Sequence, residues 1–159
     1  MRTAAWIRPV LVLALCLVAD NGRAESPVAK ISLERTACFG TCPVYTLTVY
    51  SDGKVEYEGK EHVKEKGARS SKIDEKLFLR LLEKADEIGF FKLNDRYEGR
   101  VTDLPTRITT VTKGDVSKTV RNYYGGPKGL HDFEQLIDEV TNSAQWTGAH
   151  PDTDALINH

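Results

Sequence analysis

The chain has 159 residues, 40% hydrophobic and 28% charged, with 22 Lys and Arg against 23 Asp and Glu for a net charge of −1. A balance this even, with no basic block, excludes an electrostatic grip on nucleic acid or anionic lipid. The length predicts one domain that can bury its own core without several covalent staples.

The amino terminus reads as a cleavable secretory leader. Arg2 and Arg8 supply a positive start, and Val10 to Ala19 (VLVLALCLVA) is an apolar run too short to span a bilayer as a helix. Asn21 and Gly22 break that run, and Gly22-Arg23-Ala24 places small residues where a signal peptidase reads, which predicts cleavage after Ala24. Export to the periplasm or beyond is the expectation. Cys16 lies inside the apolar run, after Leu15 and before Leu17-Val18, and leaves with the leader rather than serving as a lipid anchor. Arg2, Arg8, Arg23 and Asp20 leave too, which moves the net charge to −3. No second apolar run is long enough to cross a membrane, so no transmembrane segment is expected in the mature protein.

Residues 25–30 read as a linker, 31–147 as a single α+β domain, and 148–159 as a polar, aperiodic, flexible tail. Ile31 to Leu33 alternates as a first strand. Val44 to Tyr50 (VYTLTVY) is dense in β-branched and aromatic residues, Ser51-Asp52-Gly53 is a turn, and Lys54 to Gly59 alternates as a partner strand, giving a hairpin. Lys60 to Lys72, with the charge run Glu61 to Arg69, reads as a solvated loop. Asp74 is placed to cap a helix, with Ile73 and Phe78 spaced as a hydrophobic staple. Leu77, Phe78, Leu81, Leu82, Ala85 and Ile88 form the helix's apolar stripe, and Gly89 its stop. Phe90, Phe91 and Leu93 then return to the core.

The second half follows the same plan. Pro105 to Thr112 and Val116 to Tyr124 predict a hairpin about Lys113-Gly114-Asp115. After Gly125-Gly126-Pro127 comes a helix carrying Leu130, Phe133, Leu136, Ile137 and Val140, then Trp146. The expected fold is an antiparallel sheet of five strands, six if Glu98 to Thr102 pairs, with two helices on one face. The repeated hairpin-helix order is compatible with an internal duplication or with chance recurrence of a common unit.

Arg35-Thr-Ala-Cys-Phe-Gly-Thr-Cys-Pro-Val-Tyr45 resembles a bacterial domain family of unknown function, numbered 6438. The likeness continues through Asp52-Gly53, Tyr57-Glu-Gly59, Tyr97, Thr102-Asp-Leu-Pro-Thr106, Tyr123-Tyr-Gly125 and Trp146, covering roughly Ala29 to Trp146. The resemblance implies a small, often exported domain and singles out the cysteine loop. It brings no activity or ligand with it.

Three chemistries are open to that loop. Without the leader, Cys38 and Cys42 are the two remaining cysteines, in an oxidising compartment, so a structural disulfide is the default. Gly40 between them permits the tight ring, and Pro43 is fixed at the mouth of the following strand. A redox pair would need a thiolate lowered by a helix N-terminus or a cation such as Arg35, but these cysteines precede a strand. A zinc site would need further ligands from His62, His131, Asp103 or Glu61, none of which shows paired-ligand spacing, so no metal and no cofactor is assigned. The tail's His150 and His159 read as solvated.

Asp103, beside Pro105, reads either as a carboxylate lining a cleft with Tyr45, Tyr57, Tyr97, Tyr123 and Tyr124, or as a turn residue bonding backbone. The candidate functional loop therefore comprises Arg35, Phe39, Gly40, Pro43, Tyr45 and Asp103 around Cys38 and Cys42. No catalytic constellation accompanies it. The reading is a binding or envelope-associated module with an envelope protein or a small ligand as partner; thiol–disulfide and metal-binding roles are the alternatives.

Overall fold

The computed structural model describes residues 29–148. The leader with Cys16, most of the linker, and the tail with its two histidines lie outside these residues. Seven strands form one sheet in the order β4-β3-β2-β1-β6-β7-β5. They are β1 (Lys30–Arg35), β2 (Val44–Tyr50), β3 (Lys54–Glu61), β4 (Gly67–Lys72), β5 (Arg96–Tyr97), β6 (Arg107–Lys113) and β7 (Val116–Asn122). Three helices accompany them: α1 (Glu75–Glu87), α2 (Lys128–Thr141) and the short α3 (Ala144–Thr147). The chain is the α+β protein that the alternation of strand and helix periods predicts.

Alternation decides which face carries the helices. On β1, Ile31, Leu33 and Arg35 are buried while Ser32 and Glu34 are partly open; on β2, Tyr45, Leu47 and Val49 are buried. These side chains point to one face, where Phe78, Leu81 and Ala85 of α1 and Leu130, Phe133 and Ile137 of α2 complete a single core cluster. The opposite face bears hydroxyls and charges. Across it Thr48, Ser32, Thr110 and Thr119 fall in one register row. Lys54 pairs with Glu56 there, and Lys60 with Glu34. That face neutralises itself and stays wet.

Two expectations are corrected. Part of the supposed loop from Lys60 to Lys72 is strand β4, which pairs antiparallel with β3 from Lys54↔Lys72 to Gly59↔Gly67. It escapes a pattern reading because an edge strand exposed on both faces needs no apolar side chains; GARSSK contributes backbone pairing and little else. The remainder is tied down too, since the N–H groups of Lys64 and Glu65 donate to the carbonyls of Thr147 and Trp146 at 3.1 and 2.8 Å. The optional strand at Glu98 to Thr102 is absent. Its place is taken by Arg96–Tyr97, which pairs with β7 in parallel. The hairpins β2–β3 and β6–β7 flank β1 on its two sides, with β2 and β6 each antiparallel to it.

The helix boundaries follow the local signals. Asp74 accepts the Lys76 N–H at 2.8 Å as an N-cap, and Gly89, with φ of 64°, leads out of α1 in the left-handed region. Phe90 begins a 3₁₀ turn, Phe90–Lys92, and meets Phe133 of α2 edge-on at 5.8 Å.

The β2–β3 turn is docked against the start of α1. Gly53 has φ of 81°, and its carbonyl accepts the Ile73 N–H at 2.9 Å. A Cβ at Gly53 would lie 2.3 Å from the Ile73 carbonyl oxygen, so Ala is blocked by both conformation and space. Gly53→Ala is expected to lower unfolding free energy by about 1–3 kcal/mol in urea titration; an unchanged midpoint would mean the turn is not fixed this way.

Candidate functional site

The β1–β2 cysteine loop, the segment from 98 to 106 and the β7–α2 turn meet at one end of the sheet. Thr36 links the first two, donating its N–H to the Thr106 carbonyl at 3.0 Å while its hydroxyl accepts the Thr106 N–H at 2.9 Å. The Tyr123 hydroxyl donates to the Val101 carbonyl at 2.9 Å and joins the third.

A buried polar network underlies this end. Arg35 on β1 and Arg107 on β6 are register partners, and both occupy the inward-facing parity of their strands. Two like charges placed opposite one another repel. Two carboxylates on α2, Glu134 and Asp138, offset them. They lie one helical turn apart, a rise of about 6 Å that suits strands spaced about 4.8 Å.

Asp138 Oδ2 accepts from Arg35 Nε at 3.1 Å and Nη2 at 2.6 Å, and Oδ1 accepts from the hydroxyls of Tyr45 and Ser143, each at 2.7 Å. All four residues are buried. Desolvation is the main reason the Tyr45 hydroxyl is held well above its ordinary pKa, so it remains a proton donor to Asp138.

Glu134, fully buried, accepts from Asn122 Nδ2 at 3.0 Å and from the Thr109 hydroxyl at 3.3 Å. Arg107 Nε approaches Glu134 Oε2 at 3.1 Å, an ion pair rather than a directed hydrogen bond. Burial outweighs these partners and raises the carboxyl from 4.5 to about 7. Arg107 Nη1 lies 2.6 Å from Nδ1 of His131. A guanidinium only donates, so Nδ1 accepts and the imidazole proton sits on Nε2.

The residues singled out from sequence divide three ways. Cys38 and Cys42 lie at disulfide distance, with Cα atoms 5.7 Å apart, inside the geometry a bridge requires. Phe39 and Gly40 between them are exposed, Phe39 by 87%, and Pro43 is half-buried at the mouth of β2. Arg35 and Tyr45 belong to the buried network, bonded to Asp138. Asp103 is exposed with φ of 76°, and its Oδ2 accepts from the Thr102 hydroxyl at 2.9 Å.

Of the five tyrosines, Tyr123 and Tyr124 line a cleft with Arg107, whereas Tyr45 and Tyr57 are core residues. Among the described residues, no three or more His, Cys, Asp or Glu cluster to hold a metal. Nor is any helix among them long and apolar enough to cross a membrane.

Sequence reasoning missed Glu134, Asp138, Arg107, Asn122 and Ser143. A signal existed: positions 134 and 138 fall on the same helical face as Leu130, Ile137 and Thr141, which are all buried. An i, i+4 carboxylate pair inside an apolar stripe requires cations from the facing sheet.

A family model described as a domain of unknown function, DUF6438, matches residues 29–141, and the chain belongs to that family. No curated protein matches the chain.

The raised Glu134 pKa makes stability depend on pH. Between about 4.5 and 7 the folded protein holds a proton that the unfolded chain has released. The stabilisation is complete below the unfolded value and is lost as pH rises through about 7, for a total of up to about 3 kcal/mol. Glu134→Gln should flatten this slope in urea titrations at acidic and alkaline pH; parallel slopes in the two proteins would rule Glu134 out as the source.

Proposed function

We propose that this DUF6438 protein is an exported, non-enzymatic binding module, held in shape at its cysteine loop by a Cys38–Cys42 disulfide and docking through that loop on an envelope protein or small ligand. Phe39 carries the reading. Leaving such a side chain in water forgoes about 1.5–3 kcal/mol of burial, which nothing in the fold recovers. Yet Phe39 is displayed on a tight ring whose Gly40 N–H donates to the Cys38 carbonyl at 3.0 Å and whose base is pinned through Thr36 to Thr106. An aromatic held out on a pre-ordered loop loses little entropy on binding and is a natural interface anchor. Export rests on the leader, and pairing of the cysteines on the compartment the leader implies.

The redox alternative loses its cation. Arg35, the candidate to lower a thiolate pKa, is committed to Asp138 in the core, and Cys42 leads into a strand rather than a helix.

Capture from native envelope extract compares the protein with its Phe39→Ser variant. A partner retained by the first and lost by the second, with stability unchanged to within about 0.5 kcal/mol, is the expected result. Reduction of the disulfide should cost only about 2 kcal/mol, as a small ring allows. Reproducible substrate turnover, or a disulfide potential above about −200 mV, would overturn the reading in favour of an enzyme or a redox protein.

A further inference from the structure

A second feature of the loop-bearing end points to a ligand of its own. Between β6 and the β7–α2 turn lies an open cleft of about 340 Å³, in the size range of small-molecule sites. Arg107 and His131 line it, as do Lys128, Asn122 and the ring of Tyr124. No carboxylate does. Two other clefts contain Glu56 and Glu58, or Glu83, Glu87, Asp132 and Glu139. Of these three clefts, this one has no carboxylate in its lining, with Lys128 paired to Asp132 at 2.7 Å.

Its cationic centre is built rather than incidental. The Arg107 side chain is only 12% exposed, braced from the core side by the fully buried Glu134 and steadied at Nη1 by His131. Asn122, 3% exposed, is anchored through Nδ2 to Glu134. Gly126 presses on the Asn122 carboxamide so closely that a Cβ there would come within 2.4 Å of Oδ1. The turn thus lies flat against the cleft wall. Tyr124 is 45% exposed, with its ring seated on Gly99, and offers an aromatic surface beside the guanidinium.

We propose that this cleft binds a small organic carboxylate, its anion against Arg107 and His131 and its flat body against Tyr124. A permanently charged, weakly hydrated guanidinium attracts a carboxylate, and the adjoining ring suits a ligand with an apolar plane better than bare phosphate. Neither Phe39 nor the cysteines take part, so the proposal stands apart from the docking loop. Binding is linked to protons through Glu134. Around that carboxyl stand Arg107 and Thr109 from β6, Asn122 from β7 and Arg35 from β1, with Asp138 one turn on along α2 and His131 beyond Arg107. When Glu134 takes up its proton, the negative charge it presents to Arg107 from the core side is lost, and the attraction of the guanidinium for an anion in the cleft grows.

Amide-resolved NMR titration of the protein with benzoate, and in parallel with inorganic phosphate, tests this. Benzoate should give saturable shifts centred on Tyr124, Gly125, Gly126 and His131. Affinity should be severalfold tighter at about pH 6 than at about pH 8 and fall about tenfold or more in Arg107→Gln. Tyr124→Ala removes an exposed ring without touching the core, and should weaken benzoate severalfold even if Arg107→Gln fails to fold. Shifts scattered over surface lysines, no saturation, saturation by phosphate alone, or indifference to Tyr124→Ala would each overturn the assignment.

Discussion

The placement of α2 on the sheet depends on two arginines that the sheet brings face to face. Arg35 and Arg107 occupy one register row on adjacent strands and turn into the core, an arrangement that is repulsive by itself. It is sustained because α2 delivers Glu134 and Asp138 one turn apart, one to each guanidinium. A purely apolar interface would be about as stable, since buried ion pairs roughly break even against desolvation. The two pairs supply register. Sliding α2 along the sheet would strand a buried charge, at about 3–5 kcal/mol for a broken pair, whereas an apolar helix face could slide and repack.

That register is passed outward through Asp138. Its side chain accepts the Ser143 hydroxyl and its carbonyl accepts the Ser143 N–H at 3.0 Å, across Asn142, which sits in the left-handed region at φ of 52°. The turn after α2 is therefore fixed by the same carboxylate that anchors the helix. It sets α3, whose Trp146 stacks on Tyr57 with centroids 5.0 Å apart and whose carbonyls receive the N–H groups of the β3–β4 turn. The Tyr57 hydroxyl donates back to the Glu65 carbonyl at 3.1 Å. A charge run that would otherwise be mobile is thereby ordered by contacts beginning at β1.

What sequence patterns revealed and what they concealed follows the same division. β2 and both long helices were legible because their burial is one-sided and largely apolar, which produces alternation or a helical stripe; β6 and β7 were legible from their β-branched residues about the Lys113-Gly114-Asp115 turn. The Asp74 cap and the Gly89 stop were legible because their chemistry is local. β4 was not, since GARSSK pairs through backbone alone and no side-chain pattern records that. The closeness of Cys38 and Cys42 was legible from their spacing about Gly40. The ionic network was hidden because its members lie on four strands and a helix; Arg35 and Asp138 are 103 positions apart, and only the sheet order makes them neighbours. Asp103, singled out by its motif, is exposed, left-handed at φ of 76° and bonded to the Thr102 hydroxyl.

One end of the sheet thus carries both proposed contacts, and the network explains why they can coexist. The cysteine ring hangs from β1 just beyond Arg35, and the cleft opens just beyond Arg107, so the paired arginines stand behind one contact each. Asp138 is satisfied on both oxygens, by a guanidinium and two hydroxyls; that half of the network is closed, and a rigid loop is what it supports. Glu134 is held at the edge of ionisation, and its half retains a charge whose balance can change. A rigid apolar tip and a proton-sensitive cationic cleft therefore arise from the same two helix carboxylates. They differ in their donors: Asp138 is held by a two-point guanidinium contact and two hydroxyls, whereas burial outweighs the partners of Glu134 and raises its carboxyl to about 7.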